Sequence, residues 1–436
     1  MIGTRLWPGL LALLASAAAG EAPGDAPPLP PPDPNAYAIV EVTTAQQLAD
    51  ACWNLASDTA IVIAPGVYDL ASVAFPNGVD GRLTVGRYGA PPISNLQIRG
   101  ATGDPEDVVL IGAGMLDPLV PFGIQIFTAT DVTIADLSIR DVYYHAVAIQ
   151  GDQGAARVRL RHLRLSDAGQ QIVKGSGGDA DDVTIEYSEL FYTAGAIQHP
   201  EGSPPGSCYT NAIDAIGSAR WIVRDNLVRD IRCANGDLAG PAVLLWQGSS
   251  DSRVERNTFL DCSRGVSLGL VGPADHTGGL VRDNFFRWET GGAYQIDVPI
   301  YTTSPGSKIL HNTALTRGEY PNAIEVRFAG ATGVVVRHNL LDAAITPRDG
   351  ASPTVAANST AAVPSWFRDL AAGDLHLTAA SAPIRDQVAR LADAVDDFDA
   401  VSRPATGVDL GADEYRNEIV FTDGFESGDT SAWPLP

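Results

Sequence analysis

The sequence predicts an all-β solenoid of stacked parallel coils capped by one short helix. Three observations carry this. A strand-like segment recurs at near-constant spacing, a second short strand follows it by about the same distance each time, and turn-forming residues are abundant, with Gly 44 and Pro 30. Hydrophobic residues make up 45% of the chain and charged residues 19%, so a core can form and global disorder is excluded.

The recurring segment reads VTIADLSIRDV from Val132, VRLRHLRLSDA from Val158, VTIEYSELFYT from Val183 and WIVRDNLVRDI from Trp221. It continues as SRVERNTFLDC from Ser252, GLVRDNFFRWE from Gly279, SKILHNTALTR from Ser307 and GVVVRHNLLDA from Gly333. The central apolar residues are Ile134, Leu160, Ile185, Val223, Val254, Val281, Ile309 and Val336, at intervals of 26, 25, 38, 31, 27, 28 and 27. Apolar and polar residues alternate around each, as in a strand with one buried face. The second strands are expected at HAVAIQ, QQIVKG, NAIDAI, PAVLLW, RGVSLG, GAYQID and NAIEVR, beginning at His145, Gln170, Asn211, Pro241, Arg264, Gly292 and Asn322. Stacking at about 4.8 Å per coil turns equivalent positions into ladders. One such ladder is Asn226, Asn257, Asn284, Asn312 and Asn339, each three residues after its anchor, where stacked amides can satisfy the turn.

Ahead of the repeats, Thr44 can cap a helix whose Leu48, Ala51, Cys52 and Leu55 form one apolar stripe over the open end of the stack. Residues 1–20 read as a secretory signal with Arg5, a Leu10 to Leu14 core and small residues before the cleavage point, so export is expected. No later run is long enough to span a bilayer, and none is expected to. The division is a signal over 1–20, a Pro-rich extended linker over 21–36, the solenoid with its cap over 37–345, a closing segment over 346–416 and a tail over 417–436. Of four cysteines, Cys208 and Cys233 are expected to pair, being about one coil apart and flanking a long insertion; Cys233 with Cys262 is the alternative.

These features resemble the right-handed parallel β-helix proteins of the pectate-lyase-like superfamily. VTTAQQLADACWNLASDTAIVIAPGVYDL from Val42 looks like the cap, first strand and PGxY turn of chondroitinase-B-like and related bacterial β-helices, and NLQIRGATGDPEDVVLIGAG from Asn95 like their next coil. GDLHLT from Gly373 and RPATGVDLGADEY from Arg403 resemble the closing segment of secreted bacterial members, and FTDGFESGDTSAW from Phe421 a tail found on exported proteins of Gram-negative bacteria. The resemblance implies a secreted, cell-surface or periplasmic protein acting on polysaccharide. It is specific for fold and weak for function, because this scaffold carries lyases, hydrolases, epimerases and non-catalytic surface proteins.

Chemistry is sought beside the longest interval, where residues 194–211 form an insertion. The second-strand register points Ala148, Lys174, Asp214, Leu244, Ser267, Gln295 and Glu325 outward in one column. β-Elimination needs a charge partner for the uronate carboxyl, a base for the C5 proton and an acid for the leaving oxygen. Lys174, one of only two lysines, resembles the lysine base of chondroitinase-B-like lyases, with His199, Arg220 or Arg224 as donor and Asp214 orienting substrate or holding a cation. The bland alternative is an exposed Lys174–Asp214 ion pair. Tyr209, Trp246, Glu325 and Arg327 are expected to contact sugar, with Trp221 and Tyr192 as further stacking surfaces. Asp179, Asp181 and Asp182 offer oxygen ligands for calcium. Asp214, Asp297 and Glu325 supply carboxylates for a hydrolase. A net charge of −23 excludes a nucleic-acid-coating protein and opposes polyanions at long range. The leading expectation is a monomeric polysaccharide lyase, against a glycan-binding surface protein or a β-helix hydrolase.

Overall fold

The structure, a computed structural model, describes residues 26–76, 81–273 and 275–416. The expected signal and tail lie outside the described residues. Among those described, twenty strands form one long parallel sheet and ten form a second, stacked coil on coil into a parallel β-helix. The predicted anchors are in register throughout: Ile134 faces Leu160, which faces Ile185, then Val223, Val254, Val281, Ile309 and Val336. The column extends back through Ile98 and Ile61 to Val40 and forward to Val355. Its interior members are fully buried because each coil supplies the apolar neighbour its predecessor lacks.

Each coil of the long sheet bends at a corner between two short strands. The residue at the bend adopts a left-handed backbone, as at Asp225, Arg256, Asp283, His311 and His338 with φ of 56°, 54°, 54°, 50° and 60°. The asparagine that follows compensates for this cost. Its Oδ1 accepts from the preceding coil's asparagine, backbone and side chain alike, and its own Nδ2 donates to Oδ1 of the next: Asn226 to Asn257, Asn284, Asn312 and Asn339, at 2.9–3.0 Å. The ladder runs one rung further than predicted, to Asn358 at 2.9 Å. Replacing Asn284 by alanine removes Oδ1 from both donors of Asn257 and frees the carbonyls of Val254 and Arg282. All of these groups are buried, so unfolding free energy should fall by about 2–3 kcal/mol, read from urea denaturation. A surface-like loss of a few tenths would show that the ladder is incidental.

The cap forms as predicted over Ala45–Trp53. Thr44 accepts from the amide of Gln47, and Leu48, Ala49 and Cys52 are buried against the first coil, with Ala51 and Leu55 packed at its margin. The described part of the Pro-rich segment, residues 26–36, makes neither helix nor strand, yet it is no free linker. Arg99 donates to the carbonyls of Pro30 at 2.7 Å and Leu29 at 3.2 Å, and Arg161 donates to that of Pro27, fixing it on the long sheet.

One predicted strand is misplaced. GAYQID alternates like a strand but lies in a turn, where the amide of Gln295 donates to the carbonyl of Gly236 and Tyr294 packs under Arg232. The strand of that coil is Ile300–Thr302, so the outward position is Tyr301 and not Gln295. The ten-stranded sheet ends at Ala344–Arg348.

Residues 364–416 fold back along the flank of the last coils. Phe367, Leu375, Leu377, Ile384, Leu410 and Ala412 bury the outward Phe285, Leu315 and Leu340 in a second core. His376 sits there between Asp374 at 2.5 Å and Asp399 at 3.0 Å, with Phe285 and Phe398 against its ring. Burial opposes its charge, but the two carboxylates, with Asp413 behind them, outweigh that and push its pKa up to about 10. A folded pKa above the unfolded value of about 6.5 contributes stability that is complete below that pH and lost as pH rises towards the folded value. The melting temperature should therefore decline between pH 6.5 and 10, and His376→Asn should flatten that decline. An unchanged slope in the variant would assign it elsewhere.

Candidate functional site

The outward face of the ten-stranded sheet is taken as the candidate substrate groove, and the residues of its central column are each less than a tenth exposed. Successive coils place Gln125, Ala148, Lys174, Asp214, Leu244, Ser267, Tyr301 and Glu325 side by side, while Val147, Val173, Ile213, Val243, Val266, Ile300 and Ile324 point into the core. The strand period alone dictates this alternation. Lys174 and Asp214 are thus direct neighbours, as the register predicted. Their ion pair, Nζ to Oδ2 at 2.5 Å, is buried and not the exposed pair of the alternative: the side chains are 11% and 1% exposed. The other Asp214 oxygen accepts from Nε1 of half-buried Trp246 at 2.9 Å. Asp214 is therefore occupied from both sides and holds Lys174 and Trp246 in place beneath the groove.

The insertion arches over the turns that border this pair. Cys208 is bonded to Cys233, as expected, and Cys52 and Cys262 are free and buried. Tyr143 and Tyr144 both donate to Glu201, the first at 3.1 Å, and stitch the loop to an earlier coil. His199 belongs to this anchor. It is fully buried, its Nδ1 accepts from the amide of Glu201 at 3.1 Å, and its ring lies 4.3 Å from that of Tyr143. Burial lowers its pKa, so it is a neutral structural ring and no donor to substrate. The two arginines considered for that role are committed elsewhere, Arg220 to Asp181 and Asp182 and Arg224 to Glu186.

Tyr209 follows the disulfide and lies close enough to Asp214 to feel its charge. Burial and then the charge of Asp214 raise its pKa, which keeps the phenol protonated. His145, missed in the sequence, completes the set. Its Nδ1 donates to the carbonyl of Gln171 at 2.8 Å, which leaves the lone pair on Nε2. Burial and the positive charge of Lys174 hold the ring neutral, with its pKa lowered to about 3. Nothing in the repeat marks His145, because its tautomer is set by a carbonyl one coil away.

The remaining predicted residues separate. Trp221 and Tyr192 are fully buried and bond inward, Trp221 to the carbonyl of Ala180 and Tyr192 to those of Ala168 and Gln170, so neither can stack on a sugar. In the acidic turn of Asp179, Asp181 and Asp182, Arg220 pairs with Asp181 and Asp182 together. Among the described residues, three metal-type side chains converge at His376, Asp399 and Asp413, but both ring nitrogens of His376 already face carboxylates. Glu325 and Arg327 line a separate cleft of about 110 Å³ at the far end of the groove. No helix among the described residues is long and apolar enough to cross a membrane.

No family model and no curated protein sequence matches the chain. Solved structures do. Pectate lyase Pel9A superposes with a TM-score of 0.57 at 13% identity, covering 87% of this chain and 97% of that one. An alginate lyase from Paenibacillus sp. str. FPU-7 gives 0.44 at 16% identity, covering 73% and 97%, and DFA-IIIase from Arthrobacter chlorophenolicus A6 gives 0.43 at 15%, covering 70% and 81%. The match to Pel9A establishes a shared parallel β-helix fold.

Proposed function

We propose that the protein is an exported polysaccharide lyase that lays a glycan along the ten-stranded sheet and cleaves it beside a uronate held at Lys174. One observation carries this reading: a lysine fixed by a buried carboxylate, with a neutral imidazole within electrostatic reach of the lysine and a protonated phenol within reach of the carboxylate. Lys174 has further N–H donors beyond the one given to Asp214, and as an ammonium it neutralises the uronate carboxylate. That role replaces proton abstraction by the lysine, which the ion pair opposes. The bound uronate carboxylate offsets the Lys174 charge that depresses His145 and raises its basicity, so that His145 Nε2 takes the C5 proton while the Tyr209 hydroxyl gives its proton to the departing oxygen. Trp246 offers its half-buried indole to a sugar face. The hydrolase alternative is weaker because Asp297 and Glu325 are each bound to a guanidinium, leaving no carboxyl poised as the proton-donating acid.

Purified protein incubated with a panel of uronate polysaccharides should generate the absorbance of unsaturated ends. Tyr209→Phe should lower turnover by about 10²–10⁴-fold with little change in substrate binding. Binding without unsaturated product from any polymer would instead support a glycan-binding surface protein.

A further inference from the structure

The groove has a second polar centre that the cleavage chemistry does not use. Five coil steps from Lys174, at about 4.8 Å each, Glu325 stands in the same outward column behind Ser267 and Tyr301. It forms one wall of the 110 Å³ cleft, together with Arg264, Asp297, Tyr301, Arg327 and Arg348. The empty space inside it, open solvent included, is about 460 Å³, which admits a single sugar ring.

Its charges are closed on one another. Arg264 binds Asp297 at 3.0 Å, Arg348 binds Glu325 at 2.7 Å, and Arg327 binds Asp349. Glu325 is 2% exposed and also accepts from Tyr320 at 3.1 Å and Asn322 at 2.7 Å. With Asp349 counted, three guanidiniums meet three carboxylates, so the cleft offers donors and acceptors at close spacing without a net positive field. A uronate carboxylate entering here would face Asp297 and Glu325, two carboxylates against the one behind Lys174, with every arginine already shared with an acid. A neutral sugar would not, since its hydroxyls donate to Asp297 and accept from Arg264 and Arg327. Between the two centres the floor is Leu244, Ser267 and Tyr301, all uncharged.

We propose that this cleft is a neutral-sugar subsite, and that the groove selects a heteroglycan whose uronates are separated by neutral sugars over a homopolyuronate. The substrate class rests on the lyase reading; the subsite itself does not. One coil step is close to the length of one sugar in an extended glycan, so a chain seated at both centres spans roughly five or six residues. A net charge of −23 on the whole chain points the same way, because it disfavours a densely charged polymer.

Calorimetry with neutral gluco-, xylo-, manno- and galacto-oligosaccharides of one to six sugars tests the subsite apart from catalysis. At least one series should bind, and Arg264→Met and Arg327→Met, both at partly exposed positions, should each weaken it by about tenfold. Lys174→Met, if folded, should bind the same series. Polymer assays should then favour a glucuronic-acid-bearing xylan or a similar mixed glycan over polygalacturonate or alginate. The subsite is overturned if no neutral series binds, if binding ignores both arginine substitutions, or if oligogalacturonate binds tighter than every neutral series and loses that affinity in Arg264→Met. Neutral binding with the expected arginine dependence, but no cleavage of any polymer, would keep the subsite and defeat the lyase reading.

Discussion

Lys174→Met should reduce turnover by at least about 100-fold, the loss expected when a group acting on the reacting charge is removed. It should also destabilise the fold, which an exposed lysine would not. Asp214 is 1% exposed, and after the substitution its carboxylate keeps only the indole N–H of Trp246. Stranding one member of a buried ion pair costs about 3–5 kcal/mol. The double variant Lys174→Met/Asp214→Asn separates the two effects, because a neutral amide no longer needs an ammonium beside it. Denaturation should then recover most of the lost stability while turnover stays as low as in the single variant. If the double variant regained activity along with stability, Lys174 would be a structural residue, and the proton-transfer assignments of His145 and Tyr209 would lose their centre.

The second large effect is expected at the other end of the molecule. Arg403 is fully buried and holds the C-terminal segment on the flank of the coils. Its guanidinium binds Asp283 at 2.7 Å and Glu414, and donates to the carbonyls of Gly411 at 3.1 Å and Ala412 at 2.9 Å. Arg403→Met leaves the buried Glu414 without a cation and Asp283 with Arg282 alone, so unfolding free energy should fall by about 3–5 kcal/mol. Lysine should rescue only part of this, since it cannot serve two carboxylates and two carbonyls with one planar fork. The defect should also depend on pH. Burial raises both Asp283 and Glu414 to about 7, against the pull of Arg403. Below that range both are neutral in the folded state and the missing cation matters less. The stability gap between variant and wild type should therefore narrow from pH 8 to pH 5. Thermal melts at the two pH values, with limited proteolysis of residues 364–416, read this directly; equal gaps would mean that packing alone holds the segment.

The legible part of this molecule was what a period can encode. Regular spacing and alternation placed the anchors, the asparagine corners and the Lys174–Asp214 contact, because stacking converts a repeat in sequence into a column in space. The same logic failed where a turn changed length. GAYQID has the right alternation, but extra residues before Ile300 carry it out of the stack, and only the competing contacts of Tyr294 and Gln295 reveal that. Direction was also illegible for aromatic residues. Trp221 and Trp246 look alike in sequence, yet one ends in the core and the other at the groove edge. The roles of His145 and His199 depend on which carbonyl or amide each ring meets across coils. No local pattern records such partners.

The terminal strand Ala344–Arg348 bears on how a molecule built by coil addition stops. A stack of parallel strands is a template that would accept another chain's strand at its last rung. Here that rung carries Pro347, which has no amide hydrogen to offer, with Arg348 beside it. An incoming strand would meet an interrupted row of donors and a charge. The arrangement makes this edge of the last coil a poor seed for head-to-tail fibres, because the stack ends on a rung that cannot template the next one.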